Sequence, residues 1–135
     1  MKETVQCGVL FEVTNLLIPT LNDSDKEMQQ LARWMKQYMG AETPLHFSRF
    51  FPQYRRLRNL PSTPPATIDR AKQIAEAEGM KHVYIGNLLC DRGENTYCPA
   101  CGKLLIARKG YTILNNMQKH GRCDACARKI KGVWQ

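Results

Sequence analysis

Apolar residues in the first two thirds of the sequence alternate between two spacings. Short β-prone runs at Val9–Ile18, Leu45–Phe51 and His82–Asn87 predict three strands. Between these runs, apolar side chains recur every three or four residues in "LNDSDKEMQQLARWMKQYMG" and in "ATIDRAKQIAEAEG", which predicts two amphipathic helices. The order strand, helix, strand, helix, strand is typical of parallel βαβ units, so we predict an α/β fold.

Both predicted helices carry recognisable end signals. Ser24 followed by Glu27 three residues later is the pattern of a capping box, which favours a helix beginning at this point. Gly40 is predicted to end the first helix, and Gly79 the second.

The first predicted strand, Val9–Ile18, lacks strict alternation near its end, which is typical of a strand buried on both faces. A sheet of three strands has two open edges, and such a strand should not lie at either of them. We therefore expect another chain to supply the missing strands, or these residues to form part of a larger sheet or barrel. Glu12 and Asn15 interrupt the apolar run, and we expect them to face a site at a strand end, because buried polar groups need partners.

Four of the six cysteines form two Cys-x-x-Cys pairs near the end of the sequence, Cys98 with Cys101 and Cys123 with Cys126. The residues between the pairs fit a hairpin that turns at positions 109–110. Two such knuckles can place four sulfur atoms tetrahedrally at about 2.3 Å from a zinc ion. Because the protein would supply all four ligands, we predict a structural Zn²⁺ ribbon that clamps the fold.

Other chemistry at these four thiols stays open. A rubredoxin-type iron and a [4Fe–4S] cluster use the same ligands, and two disulfides are a further alternative. Cys7 and Cys90 are isolated, and neither His46 nor His82 has a cysteine or carboxylate at ligand spacing. We interpret these four as packing or surface residues.

Charge and composition divide the chain unevenly. The formal net charge is +8, yet residues 1–95 carry 12 basic and 11 acidic side chains, whereas residues 96–135 carry eight and one. We predict an α/β domain over residues 1–89 and the cysteine ribbon over residues 90–135. The sequence contains no run of about 18–20 apolar residues and no signal-peptide pattern, so we expect a cytoplasmic protein with no membrane partner.

Four segments together resemble a known family: "FEVTNLLIPTLNDSD", "LHFSRFFPQY", "STPPATIDRAKQIAEAEGMKHVYIGN" and "GENTYCPACGKLLIARKGYTI" with "GRCDACARKIKGVW". They are similar to the C-terminal part of the radical SAM enzyme of the AmmeMemoRadiSam system, which in turn resembles the activating enzymes of pyruvate formate-lyase. The resemblance covers essentially all 135 residues. It implies part of a TIM-type barrel of about three parallel strands and two helices, followed by a cysteine-rich ribbon.

The resemblance also implies a chemistry. Complete members bind a [4Fe–4S] cluster through an N-terminal Cys-x3-Cys-x2-Cys and cleave S-adenosylmethionine reductively to a 5′-deoxyadenosyl radical. Thr14 and Leu16 match residues that line the nucleoside, whereas Phe51 stands near the position of a histidine in the activases. The cluster triad does not occur in this sequence, so we expect the chain to be inactive alone.

Two kinds of partner follow from these interpretations. The resemblance implies an upstream barrel chain that supplies the missing strands, or a protein substrate. The alternative is a basic zinc-ribbon module that binds nucleic acid or a protein, which the charge of residues 96–135 supports. The lack of an aromatic cluster in the ribbon disfavours binding of single strands by stacking.

Overall fold

A computed structural model describes residues 9–53, 57–88, 93–116 and 118–134 of the chain. The chain divides into two compact units, of which one is Glu12–Leu88 and the other contains the described residues from 93 to 134. The predicted domain boundary at residues 89 and 90 lies outside the described residues, as do Cys7 and Cys90. Within the described ranges, no helix combines the length and apolar character needed to cross a membrane.

The first unit alternates strands with helices, as the hydrophobic pattern predicts. Its elements are β1 (Val13–Leu17), α1 (Asp25–Tyr38), β2 (Leu45–Arg49), α2 (Pro65–Ala77) and β3 (Val83–Gly86). The three strands form one parallel sheet in the order β1–β2–β3, with Val13 opposite Leu45 and Leu45 opposite Val83. The α/β class with a parallel sheet is therefore confirmed, while the described strands do not close into a barrel.

Capping residues, a proline and two glycines determine where the two helices begin and end. Ser24 and Glu27 form the predicted capping box, in which each side chain bonds to the backbone N–H of the other residue. Proline at position 65 opens α2, where its missing N–H costs nothing. Gly40 and Gly79 follow the two helices with positive φ values of 93° and 98°, which glycine adopts without steric cost.

One face of the sheet carries the apolar core of the first unit. The strands follow one another in the order β1–β2–β3. Because βαβ crossovers are right-handed, both helices lie on the same side of the sheet. The buried side chains on this face are Leu17 on β1, Leu45 and Phe47 on β2, and Val83 and Ile85 on β3, whereas Val13, Asn15 and Arg49 are half-buried. From the helices, Met28, Ala32, Met35, Ile68, Ala71 and Ala75 are buried as well.

The first strand differs from the prediction. It begins at Val13 instead of Val9, and Val9 and Leu10 are exposed and group with the other unit. In addition, β1 lies at an edge of the sheet formed by the described residues, and Leu16 is 42% exposed, so the completion of this strand's burial by another chain or a larger sheet stays a prediction. An apolar run cannot by itself show which of its residues find a neighbouring strand.

The second unit is a small antiparallel ribbon. Its strands are β4 (Thr96–Tyr97), β5 (Leu104–Lys109), β6 (Thr112–Asn116), β7 (Gln118–Lys119) and β8 (Arg122–Cys123). Strands β4–β5–β6 form one sheet, with the turn at Gly110 as predicted, and β7 pairs with β8. The core consists of Cys98, Leu105, Ile106, Cys123 and Ile130, with Trp134 packed against it. So few buried side chains cannot stabilise a domain by apolar burial alone.

Candidate functional site

The two Cys-x-x-Cys pairs form knuckles with the same backbone pattern. In the first, the N–H of Cys98 donates to the carbonyl of Lys103 at 2.8 Å, and the N–H of Gly102 donates to the carbonyl of Cys98 at 2.9 Å. In the second, the N–H of Cys123 donates to the carbonyl of Arg128 at 2.9 Å, and the N–H of Ala127 donates to the carbonyl of Cys123 at 2.9 Å. Each knuckle thus closes around the first cysteine of its pair.

The knuckles bring the four sulfur atoms together. All four lie within 4.8 Å of one another. The Sγ atoms of Cys98 and Cys126 are 3.6 Å apart, and those of Cys101 and Cys123 are 3.7 Å apart, so the described cysteines are free thiols. Four sulfurs at about 2.3 Å from one ion, arranged tetrahedrally, would be about 3.8 Å from each other. The cluster therefore has the dimensions needed to bind a metal ion.

The first cysteine of each pair is buried, whereas the second is exposed. Cys98 and Cys123 are each 2% exposed and form part of the ribbon core, while Cys101 and Cys126 face outward. The site thus joins the interior of the ribbon to its surface. Four protein ligands fill a tetrahedral site, which leaves no position for a substrate.

The surroundings of the four thiols favour the ionisation of one thiol but disfavour the ionisation of further thiols. Burial raises the pKa of Cys98, but the backbone N–H groups of Cys101 and Ala100 and the neighbouring thiols lower it, to about 7. The backbone N–H of Arg128 lowers the pKa of Cys126, but desolvation and the adjacent sulfur atoms raise it to about 12. Without a cation, ionisation of one thiol thus opposes ionisation of the others. A divalent ion would stabilise all four thiolates together.

An ion pair joins the two knuckles beside the cluster. The Nζ atom of Lys103 lies 2.8 Å from Oδ2 of Asp124, and this hydrogen bond raises the pKa of Lys103. Because Lys103 lies two residues after one ligand and Asp124 follows another, the pair links both knuckles close to the sulfur atoms. Its ammonium group adds positive charge near the thiolates.

The predicted nucleoside residues lie on the face of the sheet away from the helices. Thr14 and Leu16 are both exposed on β1, and the register places Thr14 beside His46 and Leu16 beside Ser48. On β3, Tyr84 continues the first of these rows, and its ring stacks on that of His46 with centroids 5.0 Å apart. This second surface, which we call the uncovered face, consists of Thr14, Leu16, His46, Ser48, Tyr84 and Gly86.

A contact between Glu12 and His46 was missed from the sequence. The Nε2 atom of His46 lies 3.2 Å from Oε2 of Glu12, although the two groups do not have hydrogen-bond geometry. The sequence separates these residues widely, and only the pairing of Val13 with Leu45 brings them together. A polar residue placed just before one parallel strand and another early in the next is the signal that could have revealed this contact.

The remaining candidate residues have other roles. Asn15 accepts a hydrogen bond from the side chain of Asn22 at 3.4 Å and is partly buried on the side of the helices, so it does not join Thr14. Phe51 is 44% exposed, and the guanidinium of Arg49 lies 4.6 Å from its ring centroid. His82 is buried, and burial lowers its pKa although Glu42 opposes the shift.

Comparison with known proteins finds a similar sequence but no matching family model. None of the protein-family models matches the chain. The chain is 45% identical over 125 residues to an uncharacterized protein of Methanocaldococcus jannaschii, a match that covers 91% of this chain and 37% of that protein. The chain therefore spans little more than a third of the length of this archaeal relative.

Proposed function

We propose that the chain is the C-terminal part of a radical SAM enzyme, similar to the AmmeMemoRadiSam enzyme and to glycyl-radical activases. The observation that carries this proposal is the one-sided sheet of the first unit. The three strands are parallel and adjacent in sequence order, both helices cover the same face, and the opposite face carries polar and small side chains together with Leu16 and Tyr84. A segment of a TIM-type barrel has this construction, with helices outside and functional side chains inside.

The uncovered face offers the groups that a nucleoside needs. Thr14 and Ser48 supply hydroxyl groups that can donate or accept hydrogen bonds, and Leu16 supplies an apolar surface for a base or ribose. Gly86 leaves room beside Ser48, since even an added Cβ atom would lie 3.8 Å from the serine Oγ. In this proposal Thr14 and Leu16 orient S-adenosylmethionine, which supplies the 5′-deoxyadenosyl group when it is bound.

The chain contributes only part of such a site. The Cys-x3-Cys-x2-Cys that holds the [4Fe–4S] cluster in the family does not occur in the sequence, and the ribbon cysteines have a different spacing. The length of the archaeal relative is consistent with additional barrel strands in a longer polypeptide. We expect the 135 residues to be inactive alone and to act with an upstream barrel chain.

The ribbon would serve this enzyme as a structural module. We propose that the four thiolates bind Zn²⁺, since the sulfur separations of 3.6 and 3.7 Å suit tetrahedral coordination. Iron uses the same ligands, and elemental analysis distinguishes the two metals. The bound ion would hold together a unit whose apolar core is too small to fold alone.

The decisive experiment combines the chain with the part of the archaeal relative that lies outside the matched segment. Both are reconstituted anaerobically with iron, sulfide and a strong reductant, and S-adenosylmethionine is added. We expect 5′-deoxyadenosine and methionine only when both polypeptides are present, and loss of product with Leu16→Asp. Gln37→Ala, on the exposed side of α1, is the control. A cluster-containing mixture that forms no 5′-deoxyadenosine would refute the proposal.

The second candidate is a basic zinc ribbon that binds nucleic acid. Tyr111 at the hairpin turn is fully exposed, Tyr97 is 49% exposed, and residues 96–135 carry eight basic side chains against one acidic. The ribbon has no cluster of aromatic residues in its sequence, but each of these two exposed rings can stack on one base, and the basic side chains can contact phosphate groups. Fluorescence anisotropy with a labelled oligonucleotide tests this function: binding that weakens steeply with salt and with Tyr111→Ala would favour it over the enzyme.

A further inference from the structure

The antiparallel sheet β4–β5–β6 of the ribbon has two edges of different character. Strand β4 is two residues long, Thr96–Tyr97, and a cysteine knuckle follows it at once. The other edge, which we call the β6 edge, comprises Thr112–Asn116 and the preceding turn residue Tyr111. Proteins usually prevent strand addition with short edges, charged side chains, prolines or bulges, and β6 has only a bulge, at Leu114.

Large apolar side chains are exposed along the β6 edge. All five residues of β6 are exposed, and Ile113 and Leu114, which are neighbours, are 59% and 64% exposed. The ring of Tyr111 at the turn is fully exposed. The pairing of β5 with β6 passes over Leu114, and a bulge of this kind redirects a side chain. Adjacent apolar side chains at the surface of so small a unit are typical of a site that contacts another molecule.

The turn determines which backbone groups of β6 are available for pairing. Lys109 lies opposite Thr112 across the two turn residues, and Gly110, the first of them, has a φ value of 57°. In a two-residue hairpin turn, the residue after the turn donates its N–H to the carbonyl of the residue before it. Successive residues of a strand direct their backbone groups to opposite sides. The N–H and carbonyl groups of Ile113 therefore point away from β5, where an added strand could pair with them.

The charge of the ribbon indicates the chemistry of the partner. Residues 96–135 carry eight basic side chains and one acidic side chain, Asp124, which is paired with Lys103 at 2.8 Å. A divalent ion with four thiolates carries a charge of about −2, so the ribbon stays positive when the metal is bound. Arg108 and Lys109 lie opposite the first residues of β6. A second copy of this chain would bring like charges together, whereas an acidic segment would be attracted.

We propose that the β6 edge binds an extended acidic segment of another protein, which adds a fourth strand to the ribbon sheet by pairing with the backbone of Ile113. Aliphatic side chains of that segment pack on Ile113 and Leu114, and its carboxylates face the basic side chains of the ribbon. A nucleic acid strand would match the positive charge and the Tyr111 ring, but it would leave the two aliphatic side chains in contact with water. The inference does not rest on the proposed function, because it concerns the ribbon alone.

The first experiment selects partner peptides without assuming their sequence. Short random peptides displayed on phage are screened on the full chain, purified with its metal bound. We expect the selected peptides to contain more Asp and Glu than Lys and Arg, and to carry β-branched residues at alternate positions, as strands do. Failure to select any peptide, or selection of peptides without net negative charge, would overturn the inference.

The second experiment measures the affinity of a selected, labelled peptide for variants of the chain by fluorescence anisotropy. We expect Ile113→Glu to weaken binding at least about tenfold, because it removes an apolar contact and repels the carboxylates. Val133→Glu is the matched control, since Val133 is also exposed in this unit but lies outside β6, and it should have little effect. Metal content and amide protection of Leu105 show whether both variants are folded. Equal weakening by the two folded variants would contradict the proposal.

Amide hydrogen exchange in the peptide complex tests the added strand itself. We expect the N–H of Ile113 to exchange at least about tenfold more slowly when the peptide is bound, whereas that of Thr112, which already faces β5, changes little. Binding without protection at Ile113 would mean that the peptide contacts side chains alone, and it would refute strand addition.

Two further measurements test the competing occupants of the β6 edge. A single-stranded oligothymidylate is added to the peptide complex, and the oligomeric state of the full chain is followed by analytical ultracentrifugation. We expect the peptide to stay bound at equal oligonucleotide concentration and the chain to remain monomeric. Displacement by the oligonucleotide would assign the edge to nucleic acid, and a dimer that is lost in Ile113→Glu would assign it to a second copy. Either result would overturn the inference.

Discussion

Gly102 and Ala127 occupy equivalent positions in the two cysteine knuckles. Each lies four residues after the first cysteine of its pair and donates its N–H to that cysteine's carbonyl at 2.9 Å. Both residues have positive φ, 71° at Gly102 and 58° at Ala127. This left-handed conformation costs a residue with a Cβ atom about 1–2 kcal/mol, so only the second knuckle carries a steric cost.

Replacement of Ala127 by glycine is expected to stabilise the metal-bound ribbon by about 0.5–1 kcal/mol. Glycine removes the steric cost, but it loses more backbone entropy on folding, so the gain is smaller than the full cost. Competition with a zinc chelator should show affinity raised about two- to fivefold. The control is Ala125→Gly, because Ala125 has no positive φ; that variant should bind zinc no better than the parent. If both variants behave alike, the strain at Ala127 is not relieved by glycine.

Removal of the metal is expected to unfold the ribbon. Metal binding provides roughly 10–16 kcal/mol in four-cysteine and related zinc modules, far more than the small core of Leu105, Ile106 and Ile130 can supply. A chelator should therefore abolish amide protection at these three residues and shift the fluorescence of Trp34 less than that of Trp134, which packs on the core. Selective detection of Trp134 requires the Trp34→Phe background.

Single cysteine variants test whether the metal ion binds to the four-cysteine cluster or to the other two cysteines of the chain. Cys98→Ser and Cys123→Ser should lower the metal content from one ion per chain to nearly none, since each removes a buried ligand. Cys7→Ser and Cys90→Ser are the matched controls and should retain one ion. Metal content is measured by inductively coupled plasma mass spectrometry, with zinc and iron determined together. Full loading of Cys98→Ser would show that the ion binds elsewhere.

The sequence predicted the features that depend on neighbouring residues. The capping box of Ser24 and Glu27 and the helix ends at Gly40 and Gly79 follow from patterns of a few residues, and both are confirmed. The contact of Glu12 with His46 depends on the register between two strands that are far apart in the sequence, so the positions of the two polar residues reveal it only once the strands are paired. The same reason explains the late start of β1 at Val13, because strand pairing determines where an apolar run becomes a strand.

Thr63 is expected to be a major determinant of stability in the first unit. It is fully buried, and its hydroxyl group donates to the carbonyl of Leu17 at 2.6 Å and accepts from the N–H of Phe50 at 3.0 Å. Through these two hydrogen bonds, Thr63, which lies in a loop, links the end of β1 to the end of β2. Thr63→Val preserves the side-chain shape but leaves both backbone groups without this partner, which should cost about 1–3 kcal/mol.

The measurement for Thr63 is urea unfolding followed by circular dichroism, since both described helices lie in the first unit. Thr63→Ser is the matched control, because serine retains the hydroxyl group and loses only a methyl group. It should be clearly more stable than Thr63→Val. A valine variant as stable as the serine variant would mean that the two hydrogen bonds contribute nothing net.

His82 should make the stability of the first unit depend on pH. Burial lowers the pKa of His82 in the folded state below its ordinary value of about 6.5, and Glu42 opposes this shift only in part. Below about pH 6.5 the unfolded chain therefore binds more protons at this position than the folded chain does, so stability is greatest above that pH and falls as the solution is acidified. Urea unfolding between about pH 7.5 and about pH 5.5 should show this loss, and His82→Gln should reduce it.

Glu42→Gln should enlarge the loss of stability, because it removes the carboxylate that favours the protonated imidazole. His120→Gln, at an exposed position in the other unit, should leave the loss unchanged. An unchanged pH dependence in His82→Gln would show that another group is responsible.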